Sequence, residues 1–221
     1  MFNVKHPSTG GPDLWIERLR RWSGLELDGD AVARLEQYAA WLSTEALAAG
    51  GIGPDEASRL WPRHLADSLS YAAVFVGRQG SALDIGSGVG LPGIPLAIAC
   101  PHLDMTLVDR SGRRTALLRR VVRILNLSTT RVVEADVDAI DGNHDVIVAR
   151  ASLPPEQLFP RIRRLLATRG EAVMGLSRQT PPDAAGLDTA AAGHGLQTEV
   201  VSIPPEVLDS PAWLLRMTHR E

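Results

Sequence analysis

Along the first third of the chain the apolar residues recur at helical spacing. Within Asp30–Ala48, Val32, Leu35, Ala39 and Leu42 fall three or four apart, which places them on one face of an α-helix. Asp28 or Asp30 can cap its start. Leu14–Trp22, Pro54–Leu60 and His64–Val76 read as further helices, and Gly50-Gly51-Ile52-Gly53-Pro54 is a strong breaker between them. No strand pattern precedes residue 78. Residues 13–78 are therefore expected to form an N-terminal helical cap, and the polar stretch 1–12 a disordered lead.

From residue 80 the pattern changes. Ala82–Ile85, Met105–Val108, Arg131–Val133, Val146–Ala149 and Ala172–Leu176 are short apolar runs, as expected of parallel strands buried on both faces. Helical segments separate them at Leu91–Cys100, Gly112–Asn126 (with Ser111 placed as N-cap) and Glu156–Ala167. This alternation predicts a doubly wound α/β domain over 79–221. Thr198–Ile203 and Trp213–Thr218 are expected as an antiparallel hairpin at the sheet edge. The Ala/Gly-rich stretch 181–195 reads as a helix with loose ends.

Composition narrows the class without naming a function. The 221 residues are 44% hydrophobic and 22% charged, with a net charge of −3, which is ordinary for a globular domain. No apolar run approaches the roughly 18 residues that a membrane helix needs. The single cysteine, Cys100, excludes an internal disulfide and fits a reducing cytoplasm. It ends the apolar run Leu96–Ala99 and reads as core packing rather than as a nucleophile. Lys5 is the only lysine, and the arginines cluster at 110–123 and 161–169. These can be solvated helix faces or an RNA-contact surface. The six histidines show no metal-ligand spacing, so no metal is expected.

The chemistry is concentrated where the first strand ends. In Ala82-Leu83-Asp84-Ile85-Gly86-Ser87-Gly88-Val89-Gly90, glycines at alternate positions let the backbone turn tightly and approach a ligand. Pro92 can open the next helix, whose free N–H groups would face that ligand. Gly88-x-Gly90-x-x-Gly93 also matches the dinucleotide fingerprint. Asp84 argues for a different cofactor, because a carboxylate two residues before the first glycine can meet a cationic amino group. A dinucleotide places its pyrophosphate there. Asp109 ends the second strand, where it can accept both ribose hydroxyls. Strand, glycine loop, helix, strand and acid together read as a class I S-adenosylmethionine-dependent methyltransferase with a Rossmann-like fold. The competing reading of both acids is as helix or turn caps.

The residues beyond the glycines are more specific. Asp84 through Ile98 (DIGSGVGLPGIPLAI) closely resembles the cofactor loop of the RsmG/GidB family, bacterial methyltransferases that modify guanine N7 in 16S ribosomal RNA. Arg63-His64-Leu65-Ala66-Asp67-Ser68, Leu107-Val108-Asp109 with Arg113-Arg114 and Leu118, and Ala149-Arg150-Ala151 are similar to further family segments in the same order. The glycine pattern itself places Gly88 and Gly90 at the cofactor, and the resemblance implies that Gly86 and Leu91 line the cofactor loop and that Val137 and Asp138 contact adenine. It implies that Arg150 stands beside cofactor and substrate as the catalytic candidate, and that Arg63, His64, Arg113, Arg114 and Arg178 face the substrate. The implied partner is 16S ribosomal RNA or the small ribosomal subunit, met by a cytoplasmic monomer without membrane or metal. Four places depart from the family pattern. Asp138 replaces a glutamate, Asp136 replaces an arginine, Leu176-Ser177-Arg178 replaces Leu-Lys-Gly, and only Trp41-Leu42 remains of a Trp-Asn-x-x-x-Asn-Leu segment.

Attack by guanine N7 needs no general base, because its lone pair carries no proton, and the sequence offers no such constellation. Pro154-Pro155 lacks the flanking residues that would hold an exocyclic amine and reads as a helix-starting loop. His64 can be a satisfied structural histidine or part of the substrate mouth. Three alternatives remain open: a diverged methyltransferase acting on another RNA or a small molecule, a non-catalytic nucleoside-binding scaffold, and a dinucleotide-dependent dehydrogenase.

Overall fold

The computed structural model describes residues 11–220. The expected lead, 1–12, lies outside the described residues except for Gly11 and Pro12, and Pro12 already belongs to the first helix. The strands are β1 (Gly80–Ile85), β2 (Leu103–Asp109), β3 (Thr130–Glu134), β4 (His144–Ala149), β5 (Leu166–Gly175), β6 (Leu196–Ile203) and β7 (Ala212–His219). They form one sheet in the order β3-β2-β1-β4-β5-β7-β6. The pairs among β1 to β5 are parallel, and β7 runs antiparallel to both β5 and β6. The expected edge pair is present, with β7 inside it. Asp84 lies opposite Leu107 and Val148, so the carboxyl ends of the three central strands stand level. The order reverses between β1 and β4, which opens a crevice at those ends.

Among the described residues, eight α-helices fill the intervals: α1 (Pro12–Ser23), α2 (Gly29–Trp41), α3 (Ala66–Val74), α4 (Gly93–Ala99), α5 (Gly112–Ile124), α6 (Pro155–Leu165), α7 (Ala184–Ala192) and the short α8 (Pro205–Leu208). One face of the sheet buries Ala82, Met105, Leu107, Val146 and Val148 against α4, α5 and the cap residues Trp15, Leu35, Tyr38, Leu65 and Leu69. The other face packs Leu83, Ile85, Val108 and Ile147 on Leu158, Phe159 and Ile162 of α6. The helical cap thus shares its core with the sheet.

Several boundaries differ from expectation for identifiable reasons. Of the two acids before α2, Asp28 is the cap: its carboxylate accepts from Ala31 N–H at 2.7 Å. The expected Asp30–Ala48 helix changes pitch at Trp41 into a π turn, Leu42–Ala46. A second π turn, Leu60–Leu65, leads into α3, so the segment starting at His64 is helical from further upstream. Pro92 stands outside α4 as its N-cap, after a cis peptide bond from Leu91. Ser111 holds the N-cap position of α5 without using its side chain. The helix expected to reach Ala167 stops at Leu165, because Leu166 is already paired with His144 as the start of β5.

Candidate functional site

At the carboxyl end of β1 the chain turns through Gly86 with φ of 72°. A Cβ there would stand 2.6 Å from Ser152 Cβ, so only glycine lets the loop after β4 close over this turn. The loop then folds on itself: Gly90 and Leu91 donate their N–H groups to the Ser87 carbonyl at 2.7 and 3.2 Å. The cap holds it from behind, where the buried Tyr38 hydroxyl donates to the Val89 carbonyl at 3.0 Å. Gly93 lies so close to β1 that a Cβ would meet Asp84 Oδ2 at 2.5 Å and Leu107 Cδ2 at 2.3 Å.

Asp84 is fully buried. Its Oδ2 accepts from Gly93 N–H at 3.1 Å, and its Oδ1 has no partner. The expectation that the helix N–H groups stay free for a ligand is therefore corrected, since the first of them is held by this acid. Burial pushes the carboxyl up to about 7, against the pull of Ser87 and the Gly93 N–H. Asp109 accepts from Gly88 N–H at 3.0 Å and Ser111 N–H at 2.9 Å, and Arg114 stands 3.5 Å away. Each acid thus caps a turn, while a carboxylate offers about four acceptor sites and neither set is used up.

A cavity of about 400 Å³ opens beside this loop, within the roughly 300–1,000 Å³ range of small-molecule sites. Gly86, Asp109, Arg114, Asp136, Val137, Ser152, Gln157 and Arg161 are among its lining residues, so four successive strand ends contribute. A larger hollow of about 760 Å³ lies between cap residues 24–34 and residues 98–102. That is the amino end of the strands, away from the glycine loop, whereas parallel sheets bind ligands at the carboxyl end. The smaller cavity is the candidate site.

Of the residues expected to hold cofactor, Gly86, Asp109 and Val137 line this cavity, whereas Asp84, Gly88, Gly90, Leu91 and Asp138 do not. Asp138 is exposed and paired with Arg161 at 2.6 Å, so it is the arginine that lines the cavity. Asp136 caps the turn that follows, accepting from Asp138 N–H at 2.9 Å. Ser152, Gln157 and Arg161 are not singled out by the sequence pattern. The available signal is position: Ser152 follows the end of β4, and Gln157 and Arg161 lie one turn apart on the next helix. Ser152 Oγ and Arg161 Nε are both buried without a partner.

The residues expected to face substrate divide into two groups. Arg63, His64, Arg150 and Arg178 come together in one ionic network. Arg150 Nε pairs with Asp67 Oδ2 at 3.1 Å. Its terminal nitrogens reach Ser68 Oγ at 3.4 Å, the Arg63 carbonyl at 3.1 Å and His64 Nδ1 at 3.2 Å. Arg178 pairs with Asp67 Oδ1, and Arg63 with Glu56 at 3.2 Å. His64 Nε2 lies 2.8 Å from Glu56. Burial and the Arg150 charge hold the imidazole below its usual range, which fits a neutral ring donating from Nε2 to Glu56 and accepting at Nδ1 from Arg150. Glu56 joins the site only through the fold, whereas Asp67 lies in the Arg63–Ser68 segment already recognisable in the sequence.

Arg113 and Arg114 stand apart from that network. Arg113 donates to the Ala49 carbonyl of the cap, and Arg114 lines the cavity against Asp109. Arg150 is not among the lining residues of the cavity; its guanidinium ties the 63–68 segment to the end of β4. Cys100 is buried at the end of α4 and burial pushes its thiol up to about 11, as a packing residue requires. Among the described residues, no cluster of histidine, cysteine and carboxylate side chains could hold a metal, and no helix is long and apolar enough to cross a membrane.

Residues 31–203 match the model of the GidB family, rRNA small subunit methyltransferase G. The chain belongs to this family. Among GidB relatives named Ribosomal RNA small subunit methyltransferase G, that of Rhodococcus jostii is 36% identical over 214 residues, covering 89% of this chain and 91% of the relative. That of an Arthrobacter species is 35% identical over 195 residues, covering 86% and 88%. The Acidothermus cellulolyticus relative is 40% identical over a shorter stretch of 134 residues, 61% of this chain and 60% of that one. Solved structures support the fold. A glycopeptide N-methyltransferase complexed with S-adenosylmethionine superposes with a TM-score of 0.59 at 11% identity, over 71% of this chain and 94% of that one. A ribosomal protein L11 methylase from Lactobacillus delbrueckii gives 0.57 at 14% identity, over 72% and 79%.

Proposed function

We infer that this protein transfers the methyl group of S-adenosylmethionine to guanine N7 in 16S ribosomal RNA. The observation that carries the reading is the cavity at the strand-order reversal, bounded by the Gly86 turn, Asp109 and Val137, in a chain of the GidB family. The residues present suit this cofactor. Asp109 keeps acceptor capacity for ribose hydroxyls, Val137 gives an apolar wall for adenine, and the unpartnered Asp84 Oδ1 provides a buried negative charge behind the loop for an ammonium group.

When bound, S-adenosylmethionine supplies an electrophilic methyl carbon on a cationic sulfur. The protein's share of the rate then lies in alignment and exclusion of water. The tight packing of Gly86 on Ser152 fixes the wall against which the cofactor rests. Arg150, with all of its engagements to the 63–68 segment, is a positioning residue: it clamps the cap over the acceptor side of the crevice. Arg63 and Arg178 present positive charge there for an RNA phosphate. Because N7 loses no proton, no side chain has to remove one. Asp136, which replaces the family's arginine, caps the turn after β3 with one oxygen and lines the cavity, so it adds a carboxylate to the wall beside Val137. The same reading has the protein meeting 16S RNA or the small subunit in the cytoplasm, as a monomer.

Calorimetric titration with S-adenosylmethionine and, separately, with NAD tests the cofactor assignment. Saturable binding of the former alone is expected, and binding of NAD alone would refute it.

A further inference from the structure

Both arginines of the network stand just past strand ends, Arg150 after β4 and Arg178 after β5, and one carboxylate serves them both. Asp67, near the start of α3 with a side chain only 14% exposed, gives Oδ2 to Arg150 and Oδ1 to Arg178. Its two partners are held unequally. Arg150 has three further contacts on the 63–68 segment and is locked. Arg178 comes from the irregular chain after β5, its side chain is 30% exposed, and Asp67 is its partner among the described residues. A guanidinium carries five N–H donors in a rigid fork, so this tether orients Arg178 at the crevice and leaves donors for a second anion.

We propose that Asp67 is a positioning residue for the RNA substrate, holding Arg178 at the mouth of the crevice where its remaining N–H groups pair with an RNA phosphate. This rests on the RNA methyl-transfer reading above. Without the carboxylate, two like charges would share one spot, and Arg178, the less anchored, would leave. The position of the family's Leu-Lys-Gly lysine is serine in this chain, and Arg178, one residue later, is the cation that Asp67 recruits.

The test is steady-state methylation of small ribosomal subunits purified from a strain lacking the enzyme, with labelled S-adenosylmethionine. Wild type is compared with Asp67→Asn, Arg178→Ala, Arg178→Lys and the Asp67→Asn/Arg178→Ala pair. Each of Asp67→Asn and Arg178→Ala is expected to raise KM for the subunit about tenfold, the size of one charge-assisted hydrogen bond. S-adenosylmethionine affinity should stay unchanged, Arg178→Lys should keep most of the wild-type KM, and the double variant should be no worse than Arg178→Ala alone. An unchanged subunit KM in Arg178→Ala overturns the proposal, even if the Asp67 variant does not fold. So does multiplication of the two effects, or loss of S-adenosylmethionine affinity in step with KM. A wild-type protein that binds S-adenosylmethionine but leaves the RNA unmodified overturns the underlying reading, and the proposal with it.

Discussion

Replacing Asp84 with asparagine isolates the charge buried behind the glycine loop. The carboxyl titrates at about 7 in the folded protein because of burial, against roughly 3.9 for an unfolded aspartate. Between those values the native state holds a proton that the unfolded chain has released, so the wild-type protein loses stability as pH rises from about 4 to 7 and regains none above it. At about 1.4 kcal/mol per unit the loss amounts to about 4 kcal/mol by pH 8, an upper figure for a group that relaxation can partly solvate. The substituted side chain would keep an oxygen for the Gly93 N–H, and its amide nitrogen would stand where the protonated acid has an equally unpartnered oxygen. The variant should therefore exceed wild type by no more than about 1 kcal/mol near pH 4.5 and by a few kcal/mol at pH 8. Urea denaturation of the cofactor-free protein at four pH values reads this difference directly. In the same variant S-adenosylmethionine affinity should fall, while in wild type it should strengthen as pH rises through 7, because the ligand's ammonium group requires the ionised acid. A stability difference that stays flat from pH 4.5 to 8 would refute the reasoning about burial. Unaltered cofactor affinity in the variant would refute the role assigned to the charge.

Three further substitutions probe the frame of the site. Gly86→Ala combines a left-handed φ with a Cβ placed 2.6 Å from Ser152. It should cost about 1–3 kcal/mol, lower Tm by a few degrees and abolish measurable cofactor binding; normal binding by calorimetry would contradict the packing described. Gly175→Ala puts a Cβ 2.3 Å from the buried Tyr71 hydroxyl, a clash of about 1–3 kcal/mol that adding Tyr71→Phe should largely relieve in a double-mutant cycle. Additive losses would argue against that contact. Tyr38→Phe removes the donor to the Val89 carbonyl and should destabilise by about 1–3 kcal/mol, with chemical denaturation as the measure.

Much of this architecture is legible in local pattern. The apolar runs from Ala82 onward have the signature of strands buried on both faces, and their alternation with helices leaves few topologies open. The glycine loop is readable because its spacing reflects a backbone constraint, which Gly86 against Ser152 makes concrete. What stays hidden is long-range. Leu166 follows an amphipathic helix without a breaker, and only its pairing with His144 shows that a strand has begun. Arg161 looks like one more solvated helix arginine until the fold places it on the cavity wall beside Val137. Arg150 is recognisable by its position after β4, yet its engagement with Asp67, Ser68 and His64 depends on the cap folding back across 82 or more residues. Asp84 is identified by spacing alone, which does not reveal that half of its carboxylate is spent on the start of α4.

Mass spectrometry of nuclease-digested 16S RNA identifies the methylated atom itself. Small subunits from a strain lacking the enzyme would be incubated with the purified protein and S-adenosylmethionine. One new N7-methylguanosine per 16S molecule is expected, absent when the cofactor is omitted. Unmodified RNA from an enzyme that binds S-adenosylmethionine, or a methyl group on any atom other than a guanine N7, would contradict methyl transfer to guanine N7 of 16S RNA.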